Sequence, residues 1–119
     1  MKENNVIVEK SKRFALRIIR LYQFLRAERK EYVLSKQVLR AGTSIGANVK
    51  EAIRGQSKAD FYSKMNIALK EASEAEYWLE LLHESGYIDD MAFQSIYDEC
   101  KELLKILTSI VKSKDNCEL

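Results

Sequence analysis

The chain has 119 residues, no proline, only four glycines, and 32% charged residues. That length makes one domain with its own core, and the scarcity of turn-formers excludes a turn-rich β fold and points to an all-α protein. Net charge is only +2, yet the two halves differ: up to Ser57 there are 13 Lys/Arg against 5 Asp/Glu, and from Lys58 onward 7 against 13. This asymmetry gives one side that attracts polyanions and one that repels them, unless the halves neutralise each other across a helix pair or between subunits.

Residues 1–5 are polar and expected to be loose. The first helix is expected over 6–27. Phe14, Ile18, Leu21, Tyr22 and Leu25 repeat at i, i+4, i+7 and face a core. Arg13, Arg17 and Arg20 form a second line beside it, which is either a solvated face or a contact for phosphates.

Helix 2 is expected over 35–54, with Ser35 as N-cap and a staple between Leu34 and Leu39. Tyr32, just before it, is expected to pack on the bundle end. Val38, Ala41, Ile45, Val49 and Ala52 make its apolar stripe. Gly42 and Gly46 flank that stripe. A mid-helix glycine costs about 1 kcal/mol relative to alanine, so two imply a compensating close approach of another backbone. Lys36, Arg40, Lys50 and Arg54 share the opposite line, separated by Thr43 and Ala47. Asn48 is expected to be half-buried and bonded to a neighbouring helix, and Gly55 to close the helix as its C′ residue.

Ser57-Lys58-Ala59-Asp60 reads as a capping box opening a third helix over 58–84. Its stripe includes Ala68, Ala72 and Ala75, short enough to receive the glycines of helix 2. Ile67, Trp78 and Leu81 lie on its other side and are candidates for a contact between copies of the chain. Glu76 would need a cationic or amide partner if buried. Gly86 ends this helix. Asp89 or Asp90 caps a fourth, expected over 90–112, with Ile96, Cys100, Leu103, Leu107 and Ile110 on its core face and 113–119 left loose. The whole of 1–119 is read as one antiparallel up-down four-helix bundle.

The chemistry of catalysis is missing from the pattern. No phosphate-cradling glycine loop, CxxC pair or HExxH is present. Glu80-Leu81-Leu82-His83 has the Glu-x-x-His spacing of di-iron bundles, but those need two such motifs and two more glutamates. No catalytic residue, metal site or cofactor is expected, and no enzyme. Cys100 on an apolar line and Cys117 in the tail suit reduced thiols rather than a disulfide framework. MKENNVIVEK lacks the apolar centre of a signal peptide, and no apolar run is long enough to cross a bilayer. A cytoplasmic protein without membrane contact is therefore expected.

The run Glu31-Tyr32, Leu34, Gln37, Arg40-Ala41, Ser44-Ile45, Asn48-Val49 and Glu51 resembles a bacterial four-helix-bundle family named for intervening sequences in 23S rRNA, also labelled as ribosomal-protein-like. Phe61, Ile67-Ala68, Glu74-Ala75-Glu76 and Gly86-Tyr87-Ile88 extend the likeness over nearly the whole chain. It departs at Lys50-Glu51-Ala52, where the family usually reads Ala-Glu-Gly, and at Lys70-Glu71-Ala72, where a small residue is common. The resemblance implies a ring-like homo-oligomer, a pentamer. The sequence is also similar to the accessory protein of diversity-generating retroelements, a basic pentamer that binds nucleic acid and a reverse transcriptase. The leading functional expectation is RNA or DNA binding through Arg13, Arg17, Arg20, Lys36, Arg40, Lys50 and Arg54. The alternative is an adaptor for a larger protein partner, with no direct nucleic-acid contact.

Overall fold

The computed structural model describes residues 2–117. Four helices follow one another: α1 (Lys2–Ala27), α2 (Leu34–Ile53), α3 (Lys58–Glu84) and α4 (Asp90–Cys117). Each lies against its chain neighbours, and α1 also lies against α4, while the diagonal pairs, α1 with α3 and α2 with α4, are not adjacent among the described residues. The result is the square, up-down antiparallel bundle that short connections enforce. α1 and α4 run further than 6–27 and 90–112, so helix covers 2–5 and 113–117; Met1, Glu118 and Leu119 lie outside the described residues.

The core follows the helical stripes. Phe14, Ile18 and Leu25 of α1 meet Val38, Ile45 and Val49 of α2, Met65, Leu79 and Leu82 of α3, and Leu103 and Leu107 of α4, all essentially inaccessible to solvent. Ile7 and Ser11 extend the buried face of α1 toward its start, whereas Leu21 and Tyr22 are only half-buried. Cys100 is buried, its thiol directed at the Ala72 carbonyl at 3.5 Å. Burial, with Glu76 nearby, pushes that thiol up to about 12.

Three expectations about helix 2 are corrected. First, Ser35 is not its cap. α2 begins one residue earlier, Val33 occupies the cap position without offering a side chain, and the buried carboxylate of Glu31 does the capping. Glu31 accepts the backbone N–H groups of Val33 (3.1 Å), Leu34 (3.0 Å) and Ser35 (2.7 Å). Burial works against its charge, but these hydrogen bonds outweigh burial and hold its carboxyl below the usual carboxylate range. A glutamate reaching forward from the preceding turn supplies what the short Ser35 side chain would have supplied from inside it.

Second, the glycines face α1, not the alanines of α3. A β-carbon on Gly42 would lie 2.7 and 2.8 Å from the Ile18 Cγ1 and Cγ2 atoms, and one on Gly46 would lie 3.4 Å from Ser11 Oγ and 3.5 Å from the Ser11 carbonyl oxygen. Ala68, Ala72 and Ala75 are fully buried in their own right, Ala72 beneath Cys100. Third, Asn48 donates to the Ser44 carbonyl of its own helix at 2.8 Å.

The connections divide similarly. Ser57 caps α3 by accepting from the Asp60 N–H at 3.1 Å, and Asp89 caps α4 by accepting from the Ala92 N–H at 2.8 Å. Gly86 adopts φ +84 and ends α3 with paired bonds, Gly86 N–H to the His83 carbonyl and Tyr87 N–H to the Leu82 carbonyl. This is the left-handed closure that glycine favours. Gly55 does not use that conformation, which among glycines occurs at Gly86 alone; its lack of a side chain serves the tight approach of Asp60 Cβ, 3.2 Å from where its own Cβ would stand.

Candidate nucleic-acid interface

The bundle's topology turns the sequence asymmetry into a spatial one. The lysine- and arginine-rich α1 and α2 are adjacent, and so are the acidic α3 and α4. Where basic and acidic helices meet, the charges pair. Arg17 of α1 binds Glu99 of α4. Lys10 reaches Glu102 at 2.9 Å. Arg40 of α2 forks between Glu71 (3.1 Å) and Glu74 of α3. The Glu74 bond, with Glu71 adding charge, holds the Arg40 guanidinium protonated even more firmly than usual. Arg40, and the indole N–H of Trp78 at 3.1 Å, pull the Glu74 carboxyl below its ordinary range.

The seven basic residues singled out from the sequence therefore fall into two groups. Arg17 and Arg40 are engaged by carboxylates of the same chain. Arg13, Arg20, Lys36, Lys50 and Arg54 make no ion pair among the described residues, and all five are exposed. Lys50 and Arg54 open onto a hollow of about 600 Å³ at the α2–α3 corner. Its wall includes Gln56, Asp60 and Lys64, the last paired with Glu51 at 3.1 Å. Arg20 borders a groove of about 420 Å³ between α1 and α4, floored by Leu21, Ile88 and Ile96.

Ile67 is exposed, while Trp78 and Leu81 are half-buried, with Trp78 bonded to Glu74 within the chain. Glu76 pairs with Lys101 at 3.3 Å. Glu80 and His83 do not converge. Glu80 accepts from the Tyr97 hydroxyl at 2.6 Å, and this bond, with burial, raises the Tyr97 pKa. His83 pairs with Asp90 at 2.7 Å and stacks on Phe93 at a centroid distance of 4.0 Å. No cluster of three or more metal-ligating side chains occurs among the described residues, and no helix there is long and apolar enough to cross a membrane.

Two features escaped the sequence reading. α1 carries Val8, Leu16, Ile19 and Phe24 exposed among its cations. They occupy several helical lines, so no periodicity marked them. Tyr32, expected to be packed, is 46% exposed, with the Arg26 guanidinium over its ring.

A family model described as that of the 23S rRNA-intervening sequence proteins matches residues 3–109. A solved structure from Bacteroides thetaiotaomicron, described as a protein of unknown function from the S23 ribosomal protein family, is 55% identical with a TM-score of 0.91. The alignment covers 92% of this chain and 98% of that one. No curated protein matches.

Proposed function

We propose that the chain, which belongs to the family of 23S rRNA-intervening sequence proteins, is a non-enzymatic, self-associating helical bundle that holds nucleic acid, RNA foremost, on its α1/α2 side. The observation that carries this reading is the set of five exposed cations, Arg13, Arg20, Lys36, Lys50 and Arg54, left without carboxylate partners among the described residues. They lie on helices at the two edges of that side, Arg20 beside the α1–α4 groove and Lys50 and Arg54 at the α2–α3 corner, and contacts to a phosphate backbone need only such exposed cations. No base-reading element accompanies them, so binding is tolerant of sequence. The bundle's oppositely charged sides suit head-to-tail contact between copies, which closes into a ring when the rotation allows; a ring of five is the form that the resemblance implies.

Fluorescence anisotropy of labelled mixed-sequence RNA and DNA tests the reading. If all five cations meet duplex phosphates, affinity falls about 500-fold between roughly 50 and 200 mM salt. Absence of binding at the lower salt overturns it.

A second reading, an adaptor that grips a protein, is favoured by Val8, Leu16, Ile19 and Phe24 standing exposed between the arginines. Exposed apolar side chains scattered among cations suit an acidic partner with apolar residues of its own. It predicts no polynucleotide binding, together with loss of partner capture on Leu16→Glu.

A further inference from the structure

At one end of the bundle the α1–α2 and α3–α4 turns meet. The Arg29 guanidinium spans them, donating to the Gly86 carbonyl and lying 5.9 Å from the Tyr87 ring centroid. Beside it, the Arg26 guanidinium sits 5.4 Å from the Tyr22 centroid and 4.9 Å from that of Tyr32. Three rings and two planar cations are thus interleaved in one small region, and Tyr32 still presents nearly half of its surface to solvent.

The turn that presents Tyr32 is held rigidly. Lys30 adopts φ 53, a left-handed conformation that costs a non-glycine residue about 1 kcal/mol and persists only where its surroundings impose it. The next residue, Glu31, is tied down on both sides of the turn. Its N–H donates to the Leu25 carbonyl at 3.0 Å, and its carboxylate accepts the N–H groups of Val33, Leu34 and Ser35 where α2 begins. Lys30 is exposed two residues before Tyr32 in this turn. Among the carboxylates at this end, Glu31 caps α2, Asp89 caps α4 and Asp90 pairs with His83; Glu28 and Glu84 are exposed there, and neither forms an ion pair with Arg26, Arg29 or Lys30. A pre-set aromatic face next to uncompensated cations is what an unpaired base and its flanking phosphates require, because every base offers a π-face and a phosphate on either side.

We propose that this bundle end is a stacking platform for single-stranded nucleic acid, with an unpaired base on Tyr32 and adjoining phosphates at Arg26 and Lys30. The proposal rests on the nucleic-acid reading above and adds what that reading lacks, a preference for unpaired over duplex strands. A duplex hides its base faces and can reach only the phosphate-binding cations.

The test compares a labelled single-stranded oligouridine with a labelled closed RNA hairpin lacking unpaired bases beyond a minimal loop, using wild type, Tyr32→Ala and Tyr32→Phe. Tyr32 is exposed, so helical circular dichroism should be unchanged in both variants. Tyr32→Ala should weaken the single strand about tenfold or more and the hairpin less than about twofold, while Tyr32→Phe keeps both. Equal loss on both ligands, or no loss on the single strand, overturns the platform but leaves the wider nucleic-acid reading standing. Failure of wild type to bind either ligand overturns both.

Discussion

Replacing Gly42 and Gly46 one at a time by alanine should move stability in opposite directions. At Gly42 the new methyl carbon would stand 2.7 and 2.8 Å from Ile18 Cγ1 and Cγ2, roughly 1 Å inside the normal carbon–carbon separation of about 3.5–4.0 Å. Ile18 is fully buried and β-branched, so in a helix it has one strongly preferred rotamer and cannot swing away. Either α1 shifts or the core strains, at a cost of about 1–3 kcal/mol. Alanine's better helix propensity returns up to about 1 kcal/mol, leaving a net loss of about 1–2 kcal/mol. At Gly46 the nearest atom is Ser11 Oγ at 3.4 Å, an ordinary contact, so propensity prevails and the variant gains about 0.5–1 kcal/mol. Urea unfolding followed by circular dichroism measures both. In an Ile18→Ala background, which removes Cγ1 and Cγ2 and leaves only Cβ, 3.1 Å away, Gly42→Ala should cost clearly less than it does beside Ile18. If both glycine variants shift stability the same way, or if Ile18→Ala fails to relieve Gly42→Ala, the packing of α2 on α1 described above is wrong.

Glu31→Gln should cost about 1–2 kcal/mol, because a neutral amide oxygen replaces a carboxylate accepting three N–H groups. Since the folded-state pKa of Glu31 is lowered, its contribution is complete above the ordinary carboxylate pKa and is lost as pH falls through the folded value. The difference between wild type and variant, followed by thermal melts, should therefore shrink below pH about 4. In a Cys117→Ser background, Cys100 should resist a thiol reagent at pH 8 until the chain unfolds, since burial pushes its thiol up to about 12; rapid labelling of the native protein would contradict its placement. Ile67→Glu should lower the sedimenting mass if α3 forms the contact between copies, without altering helix content; an unchanged mass removes Ile67 from that contact.

The helical period of the apolar residues was enough to place the four stripes, since Phe14/Ile18/Leu25, Val38/Ile45/Val49, Met65/Leu79/Leu82 and Leu103/Leu107 all lie in the core. Ser57 and Gly86 also announced themselves, because their roles depend on backbone groups within a few residues. What could not be read depended on which helices lie side by side. Gly42 and Gly46 signalled a close approach without naming its partner, and Ile18 and Ser11 supplied it. Arg17 and Arg40 looked identical in pattern to Arg13 and Lys50. Only the adjacency of α1 with α4 and of α2 with α3 shows that Glu99, Glu71 and Glu74 reach the first two. Glu31 hid for another reason: its capping role comes from an unusual backbone turn at Lys30, where Ser35 offered the more familiar motif.

The central claim is that uncompensated cations on α2 meet phosphates, and the salt dependence of binding tests it most directly. The slope of log affinity against log salt, measured on one duplex RNA, should fall by about 2–3 in magnitude when Lys36, Lys50 and Arg54 are together changed to glutamine. Arg40→Gln alone should change it by less than about 0.5, because Arg40 is already held by Glu71 and Glu74. An unchanged slope in the triple variant, with binding intact, would contradict the account.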